Sequence, residues 1–278
     1  MLHIFKKYKI RELGYKNSRI KIVLKVNKFY LLLLAFFISC TDNSAYVVLD
    51  HYNLVGKVES VKEISYLVAY DSLSSSYEVM RQTRKKNDED DFIMYLDKEG
   101  RIFSKKYFIK EDTIKKVSYD YRDSNYYIKK IEDINGNIIY SHYTWEMDNT
   151  MSNFTGNKDN VVLNRCLYLL NRNNRPEKEI IYYATGDIAY KKEYFYKNYC
   201  MIEEQWINSN DEIFKKNTYQ YNSQGNVIKE VQYLGADSIY MEWEYEYEYD
   251  SIGNWVSRID YHSNVPAFII LRQINYYK

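Results

Sequence analysis

Carboxylates are the residues of this chain best placed, by type and spacing, to do chemistry. Glu242, Glu244, Glu246 and Glu248 recur at every second position, and Glu203 adjoins Glu204. Same-face glutamates on a strand stand about 6–7 Å apart, close to the separation of an acid/base pair in glycoside hydrolysis. The simpler reading is a solvated stripe, because glutamate is mostly exposed in any fold. Asp88, Glu89, Asp90 and Asp91 could attract a divalent cation, yet they lack the spaced acids and glycine of a calcium loop. They read as an acidic loop. His51, His142 and His262 are isolated in sequence and read as loop or strand histidines rather than ligands or bases. No Gly-x-Ser-x-Gly, no His-Glu-x-x-His and no phosphate-binding glycine loop occurs. The sequence therefore names no catalytic residue, no cofactor site and no metal site.

Cysteine offers a second kind of chemistry. Cys166 and Cys200 are the only cysteines after Cys40. In an oxidising compartment they make a possible disulfide; the alternative is two separate buried thiols. Cys40 differs by its neighbours. Phe29 to Ser39 is an uncharged apolar run behind a basic segment, and residues 1–39 hold nine Lys/Arg and one acid, Glu12. A run this short suits a signal-peptide core better than a membrane span, which needs about 20 residues. Phe37-Ile38-Ser39-Cys40, followed by the polar Thr41-Asp42-Asn43-Ser44, resembles a bacterial lipobox, with Phe37 where leucine is more usual. The resemblance implies cleavage before Cys40, diacylglycerol on its thiol and an acyl chain on its new amino group. Several acyl chains anchor far more firmly than one. A start at Val26 would give a compact signal, so residues 1–25 read as lying upstream of the true start. Either way, residues 1–39 read as signal and stand outside the fold. Asp42 accompanies inner-membrane retention in some Gram-negative bacteria, and acids after the cysteine accompany surface display in others. The reading favours the outer membrane and leaves its face open.

The formal net charge of +1 hides this division: residues 1–39 carry +8 and the remainder −7. An acidic chain with no basic patch excludes nucleic acid as a partner. Aromatic residues make up 17% of the chain, with 33 tyrosines against 9 glycines and 2 prolines. That is too apolar for disorder.

The elements that would position these groups are strands. Tyr240 to Asp250 reads YMEWEYEYEYD. A period of two sends Trp243, Tyr245, Tyr247 and Tyr249 to one face and the four glutamates to the other. A helix would instead set glutamates at i and i+4, where they repel. Tyrosine suits a thin core, because its ring can be buried while its hydroxyl finds a partner. The pattern opens at 54–66, is interrupted by the polar stretches 72–76 and 84–91, and is regular from Phe92 onward. Turns are predicted at Gly100, at Asn135-Gly136 with positive φ at both residues, at 222–225 and at 250–253. Weaker turns are predicted at 122–125, 171–175, 185–187, 208–211 and 235–238. Strands of about 7–10 residues joined this way make an antiparallel meander of roughly a dozen strands. That number exceeds what an open sheet carries flat, which predicts an all-β sheet that coils or partly closes.

Two phrases in this pattern match each other: Tyr219-x-Tyr221-Asn222-x-x-Gly225-Asn226 and Tyr247-x-Tyr249-Asp250-x-x-Gly253-Asn254. They resemble the YD repeat, also called the RHS repeat. The likeness is good over 213–262, fair over 92–145 and weak elsewhere. Large RHS proteins wind many repeats into a shell around a toxin; this chain has too few repeats, and encapsulation is not carried over. The resemblance points to the short, lipid-anchored members of that group. The residue roles follow without it. Gly225 and Gly253 supply positive φ, Asn222 and Asp250 close the turns, and the tyrosines form cross-strand ladders. Lys191, Lys192, Lys215, Lys216 and Lys229 are placed to face the glutamate stripe. The expected layout is a signal at 1–39, a tether at 40–53 and one β domain at 54–278. The expected function is an envelope-anchored, non-enzymatic binding or scaffolding module, held to the membrane by Cys40 and meeting a protein or glycan. Tyr126-Tyr127, Tyr182-Tyr183 and Tyr276-Tyr277 would offer rings on the wet face. Alternatives are a glycan-acting enzyme, or a toxin-associated or immunity protein.

Overall fold

A computed structural model describes residues 8–10, 52–71, 76–80, 91–109, 111–123, 126–146, 149–159 and 161–278. Cys40, His51, Asp88, Glu89 and Asp90 lie outside them. The described residues form strands throughout: β1 (Tyr8–Ile10), β2 (Val58–Asp71), β3 (Ser76–Met80), β4 (Asp91–Leu96), β5 (Ile102–Ile109) and β6 (Asp112–Asp123). There follow β7 (Tyr126–Asp133), β8 (Ile138–Trp145), β9 (Thr150–Asn157), β10 (Val162–Leu170), β11 (Pro176–Tyr183) and β12 (Ile188–Lys197). The last are β13 (Cys200–Ile207), β14 (Ile213–Tyr221), β15 (Val227–Leu234), β16 (Ser238–Tyr249), β17 (Trp255–His262) and β18 (Val265–Tyr276).

From β4 to β18 each strand pairs antiparallel with the next. The ring shuts where β18 pairs with β2, from Phe268↔Leu67 to Tyr276↔Val58. On its other edge β2 takes β4 at Ser60↔Tyr95 and β3 at Leu67↔Met80. β3 and β4 thus share one place in tandem, and the ring has 16 places: a closed antiparallel barrel. This corrects the partly closed sheet of about a dozen strands. The seam joins segments some 200 residues apart, and no local pattern reports such a pairing. β1 adds a three-residue parallel pairing to β3.

One hairpin design recurs. In the turn 222–226 the Asn222 amide donates to the Asn226 carbonyl and the Gly225 amide to the Asn222 carbonyl. Asn222 Oδ1 accepts from the amides of Gln224 and Asn226 at 3.0 and 2.9 Å. Gly225 has φ +76° and Gly253 +106°, a region that a Cβ resists. This is a type I turn followed by a bulge, and each such hairpin accordingly shifts register, as between Gln220 and Tyr221. Asn135-Gly136 follows the same rule: only Gly136 has positive φ, which corrects the expected two-residue turn. Asn174 and Asp211 adopt positive φ in the equivalent place, as short polar side chains can.

Register partners carry one face round the ring: Tyr194↔Glu204↔Asn217↔Gln232 and Tyr219↔Glu230↔Trp243. This face is buried or half-buried and points into the barrel. Gln220↔Lys229↔Glu244↔Tyr261 runs round the other. A barrel of this strand number leaves a channel when its inward side chains are small; here they are tyrosine, tryptophan, methionine and paired charges. One inner cluster gathers Tyr127, Tyr143, Met151, Cys166, Tyr168 and Leu170. Tyr127 and Tyr143 stack at 4.3 Å between centroids, a contact worth about 0.5–1.5 kcal/mol beyond burial. Another gathers Val58, Val61, Phe92, Met94, Leu96 and Ile102. In β16 the rings turn inward, with Trp243 and Tyr245 buried, while Glu244, Glu246 and Glu248 are exposed.

Candidate functional site

The densest chemistry lies inside the barrel, where one contact set repeats along the chain. Tyr194 donates to Glu179 at 2.6 Å, Tyr219 to Glu204, and Tyr245 to Glu230 at 2.6 Å, each across 15 residues. Two residues on, Tyr196 donates to the Pro176 carbonyl at 2.8 Å, Tyr221 to that of Met201 at 2.6 Å and Tyr247 to that of Val227 at 2.6 Å, each across 20 residues. A glutamate early in one strand is thus capped by the tyrosine of the next strand. The belt runs through the half of the barrel where β11, β13 and β15 begin.

The sequence phrases align differently. Written as a motif, Tyr221 matches Tyr249, each just before its turn; by hydrogen bonding, Tyr221 matches Tyr247. β16 has 12 residues against 9 in β14, so it fits a third inward ring between the belt and the turn. That ring, Tyr249, accepts from Asn222 Nδ2 at 2.8 Å and Asn226 Nδ2 at 3.0 Å. Tyr276 treats the next turn alike, accepting from Asn254 Nδ2 at 2.8 Å and donating to Asp250. The signal that would have revealed the belt is a glutamate 15 residues before a Tyr-x-Tyr.

The belt's glutamates titrate in opposite directions. Burial pushes the Glu179 carboxyl up, but Lys192 at 3.1 Å and bonds from Tyr194 and Cys166 more than reverse this, leaving it below the ordinary range. Burial pushes Glu204 up, and bonds from Tyr219 and Asn217 offset only part. Burial, then Glu179, drives the Cys166 thiol far up, which makes it an inert donor to Glu179 at 3.0 Å rather than a nucleophile. No disulfide joins Cys166 to Cys200, which stand on β10 and β13; this corrects the possible pairing. Burial also raises the hydroxyls of Tyr194, Tyr219 and Tyr245, so they stay protonated donors; Tyr196 and Tyr247 are pushed up to about 12.

Beyond the belt, Arg272 pairs with Glu63 at 2.9 Å and Arg258 with Asp260 at 2.6 Å. Both guanidinium groups meet the Trp255 ring, at 3.4 and 5.4 Å from its centroid. Residues 52–57 form a strap across this end of the barrel. Asn53 Nδ2 donates to the Gln224 carbonyl at 2.7 Å, and the Val55 amide and carbonyl engage the Asn254 side chain at 2.6 and 2.7 Å. Tyr52 packs against Phe92 and bonds Lys105. The end of the expected tether is therefore part of the folded body.

Other expected groups scatter. Glu203 and Glu204 point to opposite faces, as neighbours on a strand must. Of the five lysines expected to face the glutamate stripe, Lys229 does so, at 2.8 Å from Glu242 and 3.6 Å from Glu244. Lys191 meets Asp211, Lys192 meets Glu179, and Lys216 meets Asp237. Lys215 lies over Trp206. Asp91 is buried in β4 and accepts from the Ser65 amide at 2.8 Å. His142 stands beside Tyr140 and His262 beside Trp243, on different hairpins. Of the paired rings, Tyr183 is exposed, while Tyr127 is buried and Tyr277 donates to the Leu96 carbonyl. Among the described residues no group of three or more His, Cys, Asp or Glu could hold a metal. The groove flanked by Lys229, Glu244, Glu246 and Tyr261 is open to solvent on the outer face. Outward positions such as Lys106, Lys116, Arg122, Arg165, Glu246 and Glu248 are exposed charges, whereas a bilayer-spanning barrel shows lipid an apolar band about 25 Å tall.

No known protein family matches the sequence, and no curated protein matches it. Among solved structures, a porin-like protein from Bacteroides uniformis overlays at a TM-score of 0.49 and 10% identity, over 80% of this chain and 98% of that one. A porin-like protein from Bacteroides vulgatus overlays at 0.28 and 12%, over 79% and 98%. The Tc holotoxin pore of Photorhabdus luminescens overlays at 0.20 and 10%, over 64% and 14%. At these scores the likenesses carry nothing about function.

Proposed function

We propose that this chain is a lipid-anchored, non-enzymatic protein of the bacterial envelope whose closed barrel serves as a binding or scaffolding module, kin to short YD-repeat proteins. One observation carries the non-enzymatic reading: the inward carboxylates and cations are engaged with one another and with tyrosines, which leaves no poised acid, base or nucleophile for a substrate. The outward charges support a barrel that stands beside a membrane rather than within it. The anchor rests on the apolar run, Ser39-Cys40 and the polar shift after it, and the outer membrane is its proposed place. The test is metabolic labelling with radioactive palmitate. Label should enter the wild-type chain and be absent from Cys40→Ala; an unlabelled wild-type chain refutes the anchor.

A further inference from the structure

Successive hairpins alternate between the ends of the barrel, so each end has its own set of tips. The strap end holds the turns 97–101, 171–175, 222–226 and 250–254. The far end holds the tips 109–112, 133–137, 157–161, 183–187, 208–212, 234–238 and 262–265. Every far-end hairpin exposes a large apolar side chain. Six do so with Ile109, Ile134, Val161, Tyr183, Tyr240 and Val265, and the hairpin around 208–212 does so with Phe214 just beyond its turn. Ile134 is 65% and Ile239 63% exposed. Single exposed hydrophobes are ordinary; one on every tip of one rim is a pattern, of the kind that marks an interaction surface. The same tips are acidic. Glu111, Asp112, Asp159, Asp187, Glu212 and Asp237 are exposed there, with Lys158 the only cation among the described tip residues. At the strap end the apolar exposures are Tyr199 and Ile252, and Lys98, Arg172, Arg175 and Lys197 stand among the tips.

We propose that the far rim is a docking surface for a protein partner that presents lysine or arginine beside aliphatic side chains. The inference rests on the binding reading above and narrows its partner. Charge complementarity selects the occupant. An anionic bilayer would repel the acids, and a second copy meeting rim to rim would repel in the same way. A glycan is held largely by aromatic rings, whereas most rim residues are aliphatic. The strap, through which the chain enters the barrel, sits at the opposite end and leaves this rim open.

The test uses the full chain in detergent and a fluorescein-labelled 14-residue peptide of alternating lysine and leucine, with a glutamate/leucine peptide as its counterpart. The lysine peptide should bind saturably and more weakly as salt rises. A variant with Ile134→Ser, Tyr183→Ser and Ile239→Ser should bind about tenfold more weakly or worse. A variant with Asp159→Asn, Asp187→Asn and Asp237→Asn should lose about threefold and most of the salt dependence. A strap-end variant with Ile252→Ser and Arg172→Ser should stay within about twofold of wild type. Five results overturn the proposal: no saturable binding, equal binding of the glutamate peptide, and equal losses at both ends are three. The others are flotation with phosphatidylglycerol vesicles that the far-rim variant abolishes, and self-association in light scattering that the same variant abolishes. Failure of palmitate labelling with peptide binding intact sinks the anchor and leaves the rim; the converse sinks the rim alone.

Discussion

The strap end and the far end of this barrel are made from one hairpin, and they use its spare positions differently. The turn fixes little: a side chain that accepts amides at the first position and positive φ at the fourth. At the strap end the fifth residue is spent on structure. Asn254 is 1% exposed and bonded to Val55 and Tyr276, and Asn226 binds Tyr249. At the far end the corresponding positions face water, as Asn137 does. The Glu–Tyr belt lies in the strap half as well. The difference teaches that repeat chemistry reports the backbone, whereas function must be sought in positions the repeat leaves unconstrained.

The sharpest way to break this comparison is Asn254→Ala, which orphans the amide and carbonyl of Val55. It should cost about 3 kcal/mol, from several buried bonds at about 1 kcal/mol each, while Asn137→Ala should cost less than about 0.5 kcal/mol. Urea midpoints at both sites measure this, and equal losses would erase the distinction between the ends.

Next in size is the belt. Glu179→Gln breaks a buried pair with Lys192 and should cost about 2 kcal/mol at neutral pH, whereas Glu204→Gln should be near neutral or stabilising. The pH signs differ accordingly. Glu179 is held below its ordinary value, so its stabilisation is present above the ordinary carboxylate pKa and is lost as pH falls through the lowered one. Glu204 is held above, so ionising it costs stability, and that cost disappears as pH falls through the raised value toward the ordinary one. Denaturation from pH 7 to pH 3 should therefore show Glu179→Gln flattening the acid loss and Glu204→Gln steepening it. Shifts of the same sign would contradict the assignment.

Hydrogen exchange should then grade the two ends, with amides around 222–226 and 250–254 slower than those around 183–187 and 234–238. The smallest effect is expected at the rim. Tyr240→Ser should change stability by less than about 0.5 kcal/mol, and a larger loss would mean that the ring belongs to the fold rather than to a partner.

Much of the strand rhythm was legible in the residues themselves. Tyr240 to Asp250 announces its two faces, and Asn222 with Gly225 and Asp250 with Gly253 announce their turns. Closure was not, because β18 and β2 meet through backbone bonds, and nothing in Gln273 or Lys62 names the other. The inward charges were hidden for a related reason. Lys192 and Glu204 look like surface residues until partners 13 and 15 residues away are placed beside them. Cys166 and Cys200 were indistinguishable from a pair until the strand count between them was known.

The seam tests the whole account most directly, since without it there are no ends to compare. Lys62 and Gln273 are register partners on the outer face. Opposed antiparallel residues stand about 4.5–5.5 Å apart, within disulfide reach. A Lys62→Cys/Gln273→Cys chain should cross-link on mild oxidation, with peptide mapping assigning the bond to those two positions. An open sheet would leave the two thiols unlinked, and that result would contradict the barrel.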